Sequence, residues 1–170
     1  MASKNILVVG DMRDWRDQLE VTLRRDGYKV TAVTSYGEAL SELRWNEYQL
    51  VITDLRLSAA DENNLDGMML LEDLAALGIP AIVLTGYGTA ELAREAFRDY
   101  GVVAFLEKKD LNLKKLRQVV RRTFRKADEM EKELAELRAR FLRGEIIRLP
   151  EIGNRLQRVL REKPAEYGEQ

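Results

Sequence analysis

The sequence predicts an α/β protein in which a parallel sheet is covered by helices on both faces. Short, nearly continuous apolar runs alternate five times with longer segments whose apolar residues recur at helical spacing. Parallel strands that are buried on both faces need apolar residues at successive positions. The alternation therefore predicts a doubly wound parallel sheet, α/β in class.

The first half of the chain supplies three strands and two helices of this pattern. Residues 5–9, 28–33 and 49–53 are the short apolar runs that are typical of buried strands. Between them, residues 12–26 and 36–47 carry apolar side chains three or four positions apart, as an amphipathic helix does.

The second half continues the alternation and defines the strand order. Helices are predicted over 68–77, over 89–100 and from Leu111 onward, with strands over 81–85 and 102–106. Right-handed crossovers leave few topologies for five such units, and we expect the flavodoxin-like order 2-1-3-4-5. In that order, the ligand crevice lies at the carboxyl ends of strands 1 and 3.

Four polar residues come directly after predicted strands and would face this crevice: Asp11, Asp54, Thr85 and Lys108. Two carboxylates about 4 Å apart repel by roughly 4 kcal/mol at an effective dielectric of 20, so a proton or a cation must lie between them. Mg²⁺ prefers such oxygen ligands. A carboxylate nucleophile, Mg²⁺, a lysine and a threonine hydroxyl together suit phosphoryl transfer onto Asp54.

Each of these residues also has a plainer interpretation. Asp54 alone is compatible with a helix or turn cap, and Asp11 alone is more often an N-cap than a metal ligand. Thr85 alone is typical of a strand end, and Lys108 alone is typical of a solvated charge. The placement of all four at strand ends, in the correct order, favours the shared site.

Five short motifs together resemble the receiver domain of two-component response regulators over about residues 4–122. Each motif is weak alone, but the ordered set is specific. The motifs are ILVVGD at 6–11, LVITDL at 50–55, LDG at 65–67, AIVLTG at 81–86 and AFLEKK at 104–109.

The resemblance implies a role for each residue that matches a family motif. Asp54 would be phosphorylated by a histidine kinase or a phosphotransfer protein, and Thr85 and Lys108 would contact the phosphoryl group. Asp11, Asp54 and the backbone carbonyl of Arg56 would bind Mg²⁺. The resemblance also implies a switch.

The switch would consist of Thr85 and an aromatic residue on the fifth strand, Phe105. Two departures from the family pattern bear on function. The first of the family's two consecutive acids is Gly10 here, so we expect weak Mg²⁺ binding. The loop over 55–66 is longer than usual, and a regulatory loop and a tolerated surface insertion both remain open.

The C-terminal part predicts a coiled-coil extension of the last receiver helix. We expect a receiver domain over 1–122, a coiled coil over 123–143, and a short helix with a frayed tail over 144–170. Apolar or small residues recur at alternating spacings of four and three. They are Leu116, Val120, Thr123, Ala127, Met130, Leu134, Leu137 and Phe141.

The same heptad pattern predicts a parallel homodimer. In a parallel pair, Lys126, Glu133 and Arg140 lie opposite oppositely charged residues of the partner helix. The alternative is that the helix folds back onto the receiver to cover its apolar stripe.

The composition excludes several classes of function. The chain has 28 basic and 29 acidic residues, no cysteine and no histidine. It therefore has no disulfides, no thiolate metal site and no phosphodonor histidine. The basic run over 114–126 is more typical of a solvated helix face than of a nucleic-acid site. The residues after 122 leave no room for a winged-helix domain, so direct DNA binding is not expected.

We therefore expect a cytoplasmic, phosphorylation-dependent signalling receiver with no membrane segment. Beyond its own phosphorylation and dephosphorylation at Asp54, it is not expected to be an enzyme. One alternative is a pseudo-receiver that acts as a constitutive dimeric scaffold without phosphotransfer. A second is an aspartate-nucleophile phosphatase. Such enzymes usually carry an acid two residues after the nucleophile, where this chain has Arg56.

Overall fold

The computed structural model describes residues 3–57, 64–86 and 90–160. Within these ranges, five parallel strands form one sheet in the order β2-β1-β3-β4-β5, which confirms the predicted fold class and strand order. The strands are β1 (Asn5–Val9), β2 (Lys29–Val33), β3 (Leu50–Thr53), β4 (Ala81–Thr85) and β5 (Val102–Glu107).

The helices of the described ranges cover both faces of the sheet and then continue beyond it. The predicted bounds of the five α/β units agree with the structure to within two residues, as is usual because helix ends fray. The helices are α1 (Arg13–Arg25), α2 (Tyr36–Trp45), α3 (Asp66–Leu77), α4 (Ala90–Asp99), α5 (Leu113–Leu142) and α6 (Leu149–Leu160).

Two apolar clusters lie on opposite faces of the sheet. Along β1, Ile6 and Val8 join the cluster beneath α1 and α5, while Leu7 and Val9 join the cluster beneath α2, α3 and α4. Successive side chains of a strand point to opposite faces, so an uninterrupted apolar run serves both clusters. This explains why the strands show no polar alternation.

The first three turns of α5 belong to the receiver core. The side chain of Asn112 caps the helix, since its Oδ1 accepts a hydrogen bond from the backbone N–H of Lys114 at 2.8 Å. Buried Leu116, Val120 and Phe124 then pack against the sheet. The apolar cluster on this face of the sheet therefore includes α5 as far as Phe124.

Beyond Phe124, α5 extends past the sheet, and α6 packs antiparallel against this part of α5. Arg155 of α6 pairs with Glu133 and Glu136, each at 2.8 Å, and Arg140 of α5 pairs with Glu151. We call α5 beyond Phe124, the following turn and α6 the hairpin. α6 lies within the segment 144–170, for which a short helix and a frayed tail were predicted, and residues 161–170 lie outside the described residues.

The hairpin changes the interpretation of the predicted coiled-coil seam. Leu137, which the heptad pattern assigned to a partner helix, is only 6% exposed beside α6. Glu133 and Arg140, which were expected to contact a partner, form ion pairs within the chain. A heptad pattern shows that a helix has a partner, but not which helix that partner is.

Candidate functional site

Asp54 lies at the carboxyl end of β3 and is 7% exposed. Its backbone N–H donates to the carbonyl of Val9 at 3.3 Å, which places it beside the end of β1. One carboxylate oxygen, Oδ2, lies 2.5 Å from Nζ of Lys108, and the other accepts the backbone N–H of Arg56 at 3.2 Å. This pairing offsets the cost of placing a carboxylate at the edge of a core.

Lys108 reaches Asp54 because β5 ends in a short 3₁₀ turn, Lys108–Asp110, at the same edge of the sheet. The Lys108 side chain is 15% exposed. Its Nζ lies 6.0 Å from the ring centroid of Trp15 and 4.0 Å from Sδ of Met12. These side chains shield the ion pair from water, which strengthens its electrostatic interaction.

Met12 and Trp15 also belong to the site, although nothing in the sequence placed them there. Their spacing indicated a helix, but periodicity does not show that the first turn of α1 leans over the carboxyl end of β5. Together with Gly10, Asp54 and Lys108, they line a narrow crevice at the predicted edge of the sheet.

Gly67 lets the first turn of α3 approach the site very closely. A Cβ atom at this position would lie 2.3 Å from the carbonyl oxygen of Asp54 and 2.4 Å from that of Leu55. No residue with a side chain fits there unless the backbone shifts. The glycine of the LDG motif is therefore required for steric reasons in this chain, and the sequence alone does not show this contact.

The two ends of the acidic loop are joined at its base. Asn64 Oδ1 accepts the backbone N–H groups of Leu57 and Asp66, both at 3.2 Å. This contact holds the start of α3 next to the segment that follows Asp54. Half of the long loop over 55–66, residues 58–63, lies outside the described residues, so its predicted role stays open.

The two predicted switch residues are both buried. Thr85 is 0% exposed at the end of β4, and Phe105 of β5 is 4% exposed within the cluster beneath α3 and α4. Neither side chain lines the crevice that holds Asp54 and Lys108. Their roles in switching stay predictions.

The acidic residues at this edge have the chemistry of a water-rich Mg²⁺ site. Asp11 is half-buried directly after Gly10, at the end of the strand next to Asp54. Among the described residues, no group of three or more acidic, histidine or cysteine side chains is placed to hold a metal ion. Mg²⁺ often binds through one or two carboxylates and keeps several waters, so Asp11, Asp54 and the carbonyl of Arg56 fit it.

Arg16 contacts Gly10, the position at which the family pattern has an acid. Its Nη1 donates to the backbone carbonyl of Gly10 at 2.5 Å. A Cβ atom on Gly10 would have 4.0 Å to the nearest atom outside its chain neighbours, Cγ of Arg16, so a side chain fits. The site therefore combines a missing carboxylate with an additional guanidinium nearby.

The chain belongs to the response regulator receiver domain family, whose model matches residues 6–121. This confirms the family predicted from the five short motifs. The match covers nearly all of the sheet, α1 to α4 and α5 as far as residue 121, while the hairpin lies outside it.

Two curated relatives are transcriptional regulatory proteins. The chain is 31% identical over 109 residues to the C4-dicarboxylate transport regulator DctD of Rhizobium meliloti, with 63% of this chain and 22% of DctD covered. It is 33% identical over 96 residues to ZraR of Escherichia coli, with 55% and 21% covered. These matches span only about a fifth of the relatives' length.

Solved structures show the same fold. A CheY-like receiver domain protein from Methanospirillum hungatei superposes with a TM-score of 0.65 and 28% identity, covering 78% of this chain and 99% of that one. NtrX of Brucella abortus, solved with ADP, gives a TM-score of 0.69 and 27% identity, covering 87% of this chain and 31% of NtrX.

None of the helices in the described ranges is long and apolar enough to cross a membrane.

Proposed function

We propose that this chain is a phosphorylation-dependent signalling receiver in which Asp54 is the phosphoacceptor. The observation that carries the proposal is the shielded ion pair between Asp54 and Lys108 at the carboxyl edge of the sheet. A histidine kinase or a phosphotransfer protein is the proposed donor. The Asp54 carboxylate forms a bond to phosphorus while the bond from phosphorus to the donor's imidazole nitrogen breaks.

Lys108 and Thr85 are the proposed partners of the phosphoryl group. Lys108 already holds Oδ2 of Asp54, so transfer requires its ammonium to move onto a phosphoryl oxygen. Thr85 can donate a hydrogen bond to another oxygen, and Phe105 is the proposed second member of the switch. Mg²⁺ held by Asp11, Asp54 and the Arg56 carbonyl would neutralise charge on the transferring group.

The proposed output passes through α5 and requires a homodimer. α5 runs without a glycine or proline from Leu113 to Leu142, so it connects the receiver core to the hairpin as one element. The proposal places the protein in the cytoplasm and includes neither direct DNA binding nor membrane insertion.

Incubation with acetyl phosphate and Mg²⁺, followed by intact mass measurement, tests phosphorylation at Asp54. We expect a single phosphoryl adduct on the unaltered chain and none on Asp54→Asn, which is nearly isosteric but lacks the nucleophile. Asp14→Asn, an exposed carboxylate near the same end of the sheet, is the matched control and should be phosphorylated normally. An Asp54→Asn variant that is modified at the rate of the unaltered chain would show that the assignment is wrong.

The second candidate is a pseudo-receiver that acts as a dimeric scaffold. Gly10 in place of an acid, with the Arg16 guanidinium beside it, favours this candidate because both weaken attraction for a cation. It predicts no adduct under the same conditions. The phosphatase alternative predicts repeated turnover of a phosphate ester, for which Arg56 offers no acid.

A further inference from the structure

The distal end of the hairpin carries five large apolar side chains that face solvent. On α5, Leu134, Phe141 and Leu142 are 49%, 71% and 75% exposed. Ile146 in the turn and Leu149 at the start of α6 are 89% and 83% exposed. We call these five side chains the tip patch. We propose that the tip patch is the surface through which a second copy of this chain binds, with the two hairpins parallel and their tips together.

The size of the tip patch matches what a stable dimer needs. A fully exposed aliphatic side chain offers on the order of 100 Å² and phenylalanine 150 Å² or more, so these exposures give roughly 400 Å² of apolar surface per copy. A standard interface takes about 800 Å² from each partner, of which somewhat over half is apolar. The largest apolar patch on a typical monomer is about 300–600 Å², and a patch of that size is often functional.

The opposite side of α5 is already occupied, which leaves the tip patch as the open face. Leu137 is buried beside α6, and the ion pairs of Arg140 and Arg155 lie along the same contact. Glu133 and Arg140, two of the charged residues that the heptad pattern offered to a partner, therefore form ion pairs within each copy. What remains for the second copy is mainly apolar, and burial of apolar area outweighs exposed ion pairs.

The parallel orientation follows from where the apolar residues lie. Four of the five lie at or next to the far end of the hairpin, so a side-by-side pair with both receivers at the same end brings the equivalent residues of the two tip patches together. An antiparallel pair centred on Leu134 would place Phe141 of one copy near Asp128 of the other, a charged residue that pairs with Lys4 at 2.6 Å. That arrangement would leave the apolar side chains poorly covered and would desolvate an ion pair.

Disulfide cross-linking tests this surface without background, because the chain has no cysteine. Phe141→Cys and Ile146→Cys should form covalent dimers under mild oxidation, since a parallel pair brings equivalent positions within the reach of a disulfide. Val21→Cys on α1, itself 58% exposed, is the matched control and should form no covalent dimer. Cross-linking of an Asp128→Cys and Phe141→Cys mixture, without Phe141→Cys homodimers, would overturn the parallel orientation.

Sedimentation equilibrium at tens of micromolar separates this surface from the homodimer on which it rests. We expect a dimer for the unaltered chain, and a Kd raised about ten-fold or more for Phe141→Asp/Ile146→Asp. Val21→Asp should leave the Kd unchanged. A dimer that persists in the double variant contradicts the tip patch but leaves the homodimer standing. A monomeric unaltered chain contradicts both, and a monomer that co-sediments with anionic vesicles would assign the tip patch to a membrane surface.

Discussion

The receiver and the hairpin share one helix but are stabilised by different interactions. In the receiver, α5 contributes Leu116, Val120 and Phe124 to a continuous apolar cluster beneath the sheet. Among the described residues beyond Phe124, Leu137 alone is buried, and arginine–glutamate pairs join α5 to α6.

The two regions also differ in where their apolar side chains lie. The receiver buries its apolar surface and keeps a small polar crevice, as a site for chemistry requires. The hairpin leaves apolar surface in water, as a site for binding does. Intrinsic helix propensity does not explain the contrast, because the same uninterrupted helix passes through both regions.

The sharpest test of the contrast is one substitution made at two positions of α5. Leu116→Ala, at a fully buried position, should lower the free energy of unfolding by about 3–4 kcal/mol, because it leaves a cavity in the core. Leu134→Ala, at a position 49% exposed, should cost less than about 1 kcal/mol in the monomer. Urea unfolding at low protein concentration measures both, and equal losses would contradict the division into two regions.

A steric test inside the receiver should give the next largest effect. Gly67→Ala forces a Cβ into two backbone carbonyls and should destabilise the receiver by about 2–3 kcal/mol. Gly37→Ala is the matched control, since nothing lies within 4 Å of its Cβ position, and it should be neutral or slightly stabilising. Thermal unfolding of both variants would show whether close approach, or merely loss of a glycine, is responsible.

These tests also mark where sequence reasoning succeeded. Alternating apolar runs predicted the sheet and its order because burial on both faces leaves a pattern that needs no knowledge of neighbours. The pairing of Asp54 with Lys108 followed from strand order alone. The sequence did not reveal that Trp15 shields this pair or that Arg16 binds the Gly10 carbonyl, since both contacts depend on the tilt of α1 against the strand ends.

The hairpin was predicted less well for a different reason. Phe124 fell outside the apolar positions of the heptad, yet it packs 5.2 Å from the ring of Tyr28 in the receiver. Leu137 fitted the heptad, yet α6 from the same chain lies against it. A repeat of 3.5 residues defines a stripe along a helix, and the identity of its cover depends on contacts distant in sequence.

A smaller effect is expected on Mg²⁺ affinity, and substitutions in the hairpin should not change this affinity. Gly10→Asp should tighten Mg²⁺ binding about several-fold to ten-fold, because it adds a carboxylate to a site that has space for it. The gain in Mg²⁺ affinity should be larger in Gly10→Asp/Arg16→Met, because the Arg16 guanidinium then no longer competes with Mg²⁺ for the new carboxylate. Metal titration followed by Trp15 fluorescence reads this out, with Glu136→Gln in the hairpin as the control that should change nothing.

The smallest predicted effect concerns acid pH and separates the two regions again. A hydrogen bond from Arg117 lowers the pKa of Asp26 below its ordinary value of 3.8, and hydrogen bonds from Arg140 lower the pKa values of Glu145 and Glu151 below 4.5. A carboxylate with a lowered folded pKa stabilises above its unfolded pKa, and this stability is lost as pH falls through the folded value. Little apolar burial in the hairpin can replace this stabilisation, so the hairpin should lose helix before the receiver as the pH falls below the ordinary pKa of a glutamate.

Hydrogen exchange resolved along α5 checks this order, and a variant in the receiver sharpens it. Asp26→Asn should lower Tm by about 2–4 °C at pH 7 and have no effect below the folded pKa, where the carboxylate is already protonated. Simultaneous loss of protection on both sides of Phe124 would mean that the two regions unfold as one cooperative unit.

The continuity of α5 across Phe124 gives the molecule a lever arm. The ring of Phe124 is held between Tyr28 at 5.2 Å and the ammonium of Lys4 at 5.9 Å, while the helix continues to Leu142. From that fulcrum to the end of the helix is about 27 Å, at 1.5 Å per residue. A tilt of about 5° at the fulcrum displaces the tip by roughly 2 Å, comparable to the helix shifts that accompany switching at subunit interfaces. A change too small to disturb the packing around Phe124 is thus magnified at the point farthest from it.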